Sequence, residues 1–186
     1  ETTFRGTLQE LTQQSQKFLE ATALASDEAY QSMLEQSLRV FTRRVGELLE
    51  AERASLFLVD RERQQLVLRV AQDMPEGEYV RIPLASGIAG AAAMSGKVVR
   101  VDDAYADPRF NQAVDAETGF RTRSMLCLPL QDRSGAVFAV TQLLNRRDGR
   151  PFDEQDTHRY AELASSLSVL LESLVKLGRT AARRAP

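Results

Sequence analysis

Apolar residues at helical spacing near both ends of the chain enclose a middle written in the period of strands. A chain so ordered must lay helices against a sheet. Toward the C-terminus, Tyr160 is followed by Leu163, Leu167, Leu170, Leu174 and Leu177, at alternating steps of three and four. The same alternation runs through Leu34, Leu38, Phe41, Val45 and Leu48. Both are a/d stripes of amphipathic helices. Gly178 reads as the stop of the last one. Leu8, Leu11, Phe18 and Leu19 suggest a further N-terminal helix, with a break near Ser26 and Asp27.

Between the stripes, RASLFLVD (Arg53 to Asp60) is nearly continuous apolar, as in a strand covered on both faces. LVLRVAQ (Leu66 to Gln72) alternates, and RERQQ between the two reads as a hairpin connection. YVRIPL and KVVRVDD are short strands, and GIAGAAAMSG (Gly87 to Gly96) is a small helix with Ser86 as its N-cap. SMLCLPLQD and GAVFAVTQLLN are longer strands joined at Arg133-Ser134-Gly135. The order predicts an α+β domain: an antiparallel sheet of about six strands, with the N- and C-terminal helices packed on one face. A pocket roofed by loops and short helices is left for the other face. The boundaries that follow are an N-terminal helical linker over 1–33, the domain over 34–177 and a basic tail over 178–186.

The roof has its own signature. The stretch from Tyr105 to Arg123, YADPRFNQAVDAETGFRTR, has only Tyr105, Phe110, Val114 and Phe120 as large apolar residues. Polar segments of this length inside a compact domain either run over solvent or cover a binding site.

Composition removes several function classes. The chain has 24 basic and 26 acidic residues for a net charge of −2, far from the basic excess of a nucleic-acid-binding domain. Arg179, Arg183 and Arg184 form the only basic cluster and read as a solvated end. With Cys127 as the one cysteine, neither an intramolecular disulfide nor a Cys-rich zinc site can form. A reducing, cytoplasmic setting follows. No apolar run reaches the length of a membrane span. The start, ETTFRG, lacks an initiator Met and a signal-peptide pattern, and reads as part of a longer protein.

Four collinear stretches, SLFLVD, RIPLASGIAGAAAMSGK, DAYADPRFNQAVDAETGFRTRSMLCLPL and TQLLNRRDGRPFDEQD, resemble a GAF domain. The resemblance is to the kind found in cyclic-nucleotide phosphodiesterases and cyanobacterial-type adenylate cyclases, and it runs from roughly Leu34 to Leu177. It implies a site for a cyclic nucleotide, which brings a phosphate, a ribose and a flat base. The backbone at Ile88 and Ala89 would hold the phosphate, since a helix N-terminus offers free N–H groups and partial positive charge. The same glycines and alanines equally suit close helix–sheet packing. Asn111, Asp115, Thr118 and Thr122 would surround the ligand, and Ser55 and Gln142 would complete the set. Taken singly, each of the four is also an ordinary loop-capping residue.

An Asn-Lys…Phe-x-x-x-Asp-Glu signature of that subset is matched by Asn145, Arg146, Phe152 and Asp156, with Arg for Lys and Thr157 for the final Glu. The implied contact is a structural Arg146–Asp156 ion pair. Ala71-Gln72 stands where such sites commonly place an aromatic, and Gln142 where some have an acid.

No nucleophile–base pair or metal-ligand spacing is present in the sequence. His158 lies at the start of the C-terminal helix without a neighbouring Cys, and Cys127 falls in an apolar strand as an inert thiol. The reading is therefore a regulatory domain without catalytic residues, metal or cofactor. It binds a cyclic nucleotide, cAMP in preference to cGMP. Its other partners are a second copy, met through the terminal helices, and a fused output domain; neither nucleic acid nor a membrane is among them. Two rivals stand beside it: a ligand-free dimerisation and relay module, and a sensor of another small molecule.

Overall fold

The computed structural model describes residues 27–72, 74, 75, 77–163, 172 and 175. Helix α1 spans Asp27–Leu48. Its stripe is used on the chain's own sheet: Leu34, Leu38, Phe41 and Val45 share one apolar cluster with Leu56, Leu126, Leu128 and Leu143. Each such side chain contributes about 1.5–3 kcal/mol by leaving water. At the end of the stripe it is Leu49 that is fully buried, while Leu48 is only partly so. The chain leaves the helix there, and Glu50, at a φ of 52°, turns it into the first strand. The further helix near Leu8 and the stripe positions Leu167, Leu170, Leu174 and Leu177 lie outside the described residues.

Six antiparallel strands form one sheet in the order β3-β2-β1-β6-β5-β4. They are β1 (Ala51–Asp60), β2 (Gln65–Ala71), β3 (Val80–Pro83), β4 (Val99–Val101), β5 (Met125–Gln131) and β6 (Val137–Arg146). The β5–β6 turn is set by Asp132, whose carboxylate accepts from the Ser134 and Ala136 amides at 2.9 and 3.0 Å. A C-terminal helix, α4, covers residues 154–163. Its Tyr160 and Leu163 join the cluster on the α1 face, and the Tyr160 hydroxyl meets Thr141 Oγ1 at 3.0 Å.

A second cluster occupies the opposite face. There α2 (Gly87–Ser95) packs Ile88, Ala89, Ala92 and Ala93 against Phe57, Cys127 and Val140. A 3₁₀ turn (Ala104–Ala106) and helix α3 (Gln112–Thr118) lie within the polar segment, and Tyr105 and Phe110 reach down to this cluster. Two layers thus flank one sheet, terminal helices behind and short elements in front.

Candidate ligand site beneath the polar segment

The polar segment is closed at its neck. The Ala104 amide donates to the Arg123 carbonyl at 2.7 Å, tying the two ends together. Asn145, fully buried at the end of β6, fastens the same point. Its Oδ1 accepts from the Arg123 and Ser124 amides at 2.6 and 3.3 Å, and its Nδ2 donates to Arg121 O and Glu52 Oε2 at 2.9 and 2.8 Å. Asn145 holds a φ of 51°, a left-handed conformation that Asn tolerates better than most side chains. Burial pushes the Glu52 carboxyl up, but hydrogen bonds from Asn145 and Arg123 more than offset it and hold the group below its ordinary 4.5.

Inside the neck the segment is fixed by one buried carboxylate. Asp115 Oδ2 accepts from the Thr122 amide at 2.6 Å and from the Tyr105 hydroxyl at 3.2 Å, and Oδ1 accepts from Thr122 Oγ1 at 2.7 Å. Gly119, in the left-handed conformation after α3, reverses the chain so that residue 122 returns to residue 115. The Arg121 guanidinium lies 3.4 Å from the centre of the Tyr105 ring, and Arg53 of β1 lies 4.1 Å from that of Phe120. Cation–π contacts of this kind tie the segment to itself at Tyr105 and to β1 at Phe120.

The floor is a polar row across the sheet. Ser55 pairs with Gln142, and Gln142 with Cys127; residues directly opposite share a face. Ser55 Oγ donates to the Gln142 carbonyl at 3.5 Å, and Cys127 Sγ lies 3.7 Å from Gln142 Oε1. Burial pushes the Cys127 thiol far up, a change that the nearby Arg109 charge opposes. Arg109 belongs to the segment above. Asp107 holds its guanidinium at 2.6 and 2.9 Å, and that bond keeps the Asp107 carboxyl low. The Arg109 carbonyl also passes the start of α2, 3.9 Å from where a Cβ on Gly87 would stand.

The start of α2 lacks a side-chain cap. Ser86 is the N-cap residue, as expected, and its carbonyl accepts from the Gly90 amide at 3.0 Å, but its side chain makes no capping bond. Gly87 follows at a φ of 66°, so the chain enters the helix through a left-handed residue that takes the serine hydroxyl off line. The side chains of Ile88 and Ala89 are buried, so only their backbone can meet a ligand. First-turn N–H groups have no acceptor within their own helix. Gly90, by contrast, is required by packing, since a Cβ there would stand 2.6 Å from the Ala85 carbonyl carbon.

Thus Asp115 and Thr122 are brought together, as are Ser55 and Gln142. Asn111 and Thr118 serve α3 itself: Asn111 Oδ1 caps it by accepting from the Ala113 amide at 3.1 Å, and Thr118 Oγ1 donates to Val114 O at 2.8 Å. Both are exposed. Replacing Asn111 with Ala is expected to cost about 1 kcal/mol, while Ser86→Ala should change stability by less than about 0.5 kcal/mol. Thermal unfolding of the two variants side by side checks the contrast. Arg146, behind the site, donates to both Asp156 oxygens at 2.7 and 2.6 Å, and to Glu50 and Asp148 at 2.7 and 2.9 Å. His158 is exposed.

Sequence reasoning missed Tyr105 and Arg109 as site residues, and saw Asn145 only as part of a motif. The one signal available was local: Asp107 two residues before Arg109 is the spacing of the pair that orients it.

Among protein families, the model of the GAF domain matches residues 33–171. The chain is 39% identical over 127 residues to dual 3′,5′-cyclic-AMP and -GMP phosphodiesterase 11 of Drosophila melanogaster, covering 60% of this chain and 9% of that protein. To the probable 3′,5′-cyclic phosphodiesterase pde-5 of Caenorhabditis elegans it is 40% identical over 121 residues, covering 59% and 16%. The chain thus spans only a small part of the length of these relatives. Of the solved structures, the GAF domain of a phosphoenolpyruvate-protein phosphotransferase (ptsP) from Coxiella burnetii matches with a TM-score of 0.67 at 19% identity, covering 92% of this chain and 98% of that one. That likeness shows the fold.

Proposed function

Because the chain belongs to the GAF domain family, we propose that this regulatory domain, itself no enzyme, binds a cyclic nucleotide between the start of α2, the sheet and the polar segment. The observation that carries the reading is the first turn of α2, which no side chain caps, packed in one cluster with Cys127 of the Ser55–Gln142–Cys127 row. A phosphate at Ile88 and Ala89 would meet first-turn N–H groups that no side chain caps. The base would meet the Gln142 amide. An amide offers one donor side and one acceptor side, which matches the N–H/N edge of adenine; guanine's N1–H and N2–H₂ would favour a carboxylate. This is the physical ground for preferring cAMP to cGMP. The relatives named as cyclic-nucleotide phosphodiesterases support the ligand class.

In this reading, ligand stabilises the closed polar segment and biases the seat of the terminal helices, which pass the change to a fused output domain. Such a shift requires that ligand bind one helix arrangement better than the other. One observation favours a ligand-free relay module instead: Asp115 and Thr122 already satisfy each other.

Calorimetric and thermal-shift titrations with cAMP and cGMP decide between them. Saturating cAMP, at about a hundredfold over its Kd, is expected to stabilise the fold by about 2.7 kcal/mol. Thr122→Ala should weaken binding about tenfold by freeing Asp115 and loosening the segment. No stabilisation by either nucleotide at millimolar concentration would sink the ligand reading.

A further inference from the structure

A cavity of about 310 Å³ lies between α1 and the ends of β1 and β2, on the α1 face of the sheet. Its floor is made of small residues: Gly46, Ala51, Ala54 and Ala71. A Cβ on Gly46 would stand 2.9 Å from that of Ala54, so the helix rests on β1 there. The space beside that contact stays open for want of side-chain length. Interiors otherwise fill such gaps.

The charged side chains that line the cavity among the described residues are mostly basic. Among the described residues, Arg39 and Arg43 of α1 and Arg147 after β6 line it, with Glu47 as the one carboxylate of that lining. That carboxylate pairs with Arg44 at 3.1 Å and more loosely with Arg43 at 3.9 Å. Arg39 gives its terminal nitrogens to the Met74 and Pro75 carbonyls and to Glu35, yet among the described residues its buried Nε has no acceptor. Arg147 donates its Nε to the Ala51 carbonyl at 3.1 Å. A buried donor left without an acceptor is costly, and guanidinium groups match the paired oxygens of phosphate and carboxylate. The volume sits at the lower end of the range of small-molecule sites, about 300–1,000 Å³.

We propose that this cavity is a second binding site, for a small molecule bearing a phosphate or a carboxylate, held by Arg43 and Arg147 with Arg39 closing the end. It does not rest on the nucleotide reading, because Arg39, Arg43 and Arg147 take no part in the site beneath the polar segment. Occupancy would wedge the C-terminal half of α1 against the β1–β2 pair.

The test is a backbone-amide NMR titration of the chain with sodium phosphate and, separately, sodium succinate, each against sodium chloride at matched ionic strength. The amides of Gly46 and Ala54 are expected to shift to saturation while that of Thr122 does not. The salt that saturates identifies phosphate or carboxylate as the recognised group. Arg43→Gln and Arg147→Gln should each weaken the response, and the pair should weaken it about tenfold or more. Arg43 is the safer probe of folding, its side chain being 67% exposed. Shifts that merely follow ionic strength, or saturation that persists unchanged in folded Arg43→Gln, would overturn the proposal.

Discussion

Replacing Arg146 with methionine is expected to destabilise the domain by about 3–5 kcal/mol, the cost of leaving a buried charge without its partner. Asp156 has no exposed surface and takes both of its short bonds from one Arg146 nitrogen. Without that arginine it retains the Asp153 amide at 3.0 Å and the distant Arg159 at 4.0 Å. The reverse substitution is unequal. Asp156→Asn leaves Arg146 with Glu50 and Asp148, so the loss should be nearer about 1–2 kcal/mol. Urea unfolding of both variants reads the asymmetry directly. Equal losses, or a larger loss for Asp156→Asn, would show that the arginine rather than the aspartate is the group that burial strands. Replacing both with methionine and leucine should recover much of the difference, since well-packed apolar pairs often equal buried ion pairs.

Asn145→Ala should cost about 3–4 kcal/mol, combining lost hydrogen bonds at a buried site with a left-handed backbone that alanine resists. The asparagine amide makes four bonds, and three of the partners are backbone groups of residues 121–124. Two further variants separate the contributions. Asn145→Gly keeps the φ of 51° without strain but loses every side-chain bond. Asn145→Asp keeps the acceptor toward Arg123 and Ser124 but turns a carboxylate toward Glu52 and the Arg121 carbonyl. The expected order of stability is wild type, then glycine, with alanine and aspartate below it. Amide exchange at Arg123 and Ser124 should accelerate in all three, and unchanged protection there would contradict the role given to Asn145.

The fold was legible because its signals are periodic. Leu34, Leu38, Phe41 and Val45 mark the buried face of α1 by spacing alone, and the change of period near Arg53 marks the sheet. Spacing did not distinguish Leu48 from Leu49, since the choice depends on where Glu50 turns the chain. The site was legible only in part. Ser55 and Gln142 stand out as polar residues in apolar strands, but their pairing depends on the register of β1 with β6. The Asp115–Thr122 bonds depend on the turn at Gly119, and Asn145 acts on residues more than twenty positions earlier in the chain. No local pattern encodes contacts of those kinds. Asn111 and Thr118 have the polar types of ligand residues, yet those same types serve helix ends, and in α3 the ends claimed them.

The bond from Ala104 to Arg123 has a thermodynamic consequence for whatever enters beneath the segment. A loop whose ends wander must lose closure entropy when it settles over a ligand, and that loss grows with the logarithm of its length. Here the loss is already incurred in folding. An incoming molecule has to order only the interior of a ring, so more of its contact energy survives as affinity. The same ring has no free end to swing aside. Exchange would then proceed by strain within the ring, at the turn between Asp115 and Thr122, and the residence time of a ligand would be set by three hydrogen bonds to one carboxylate.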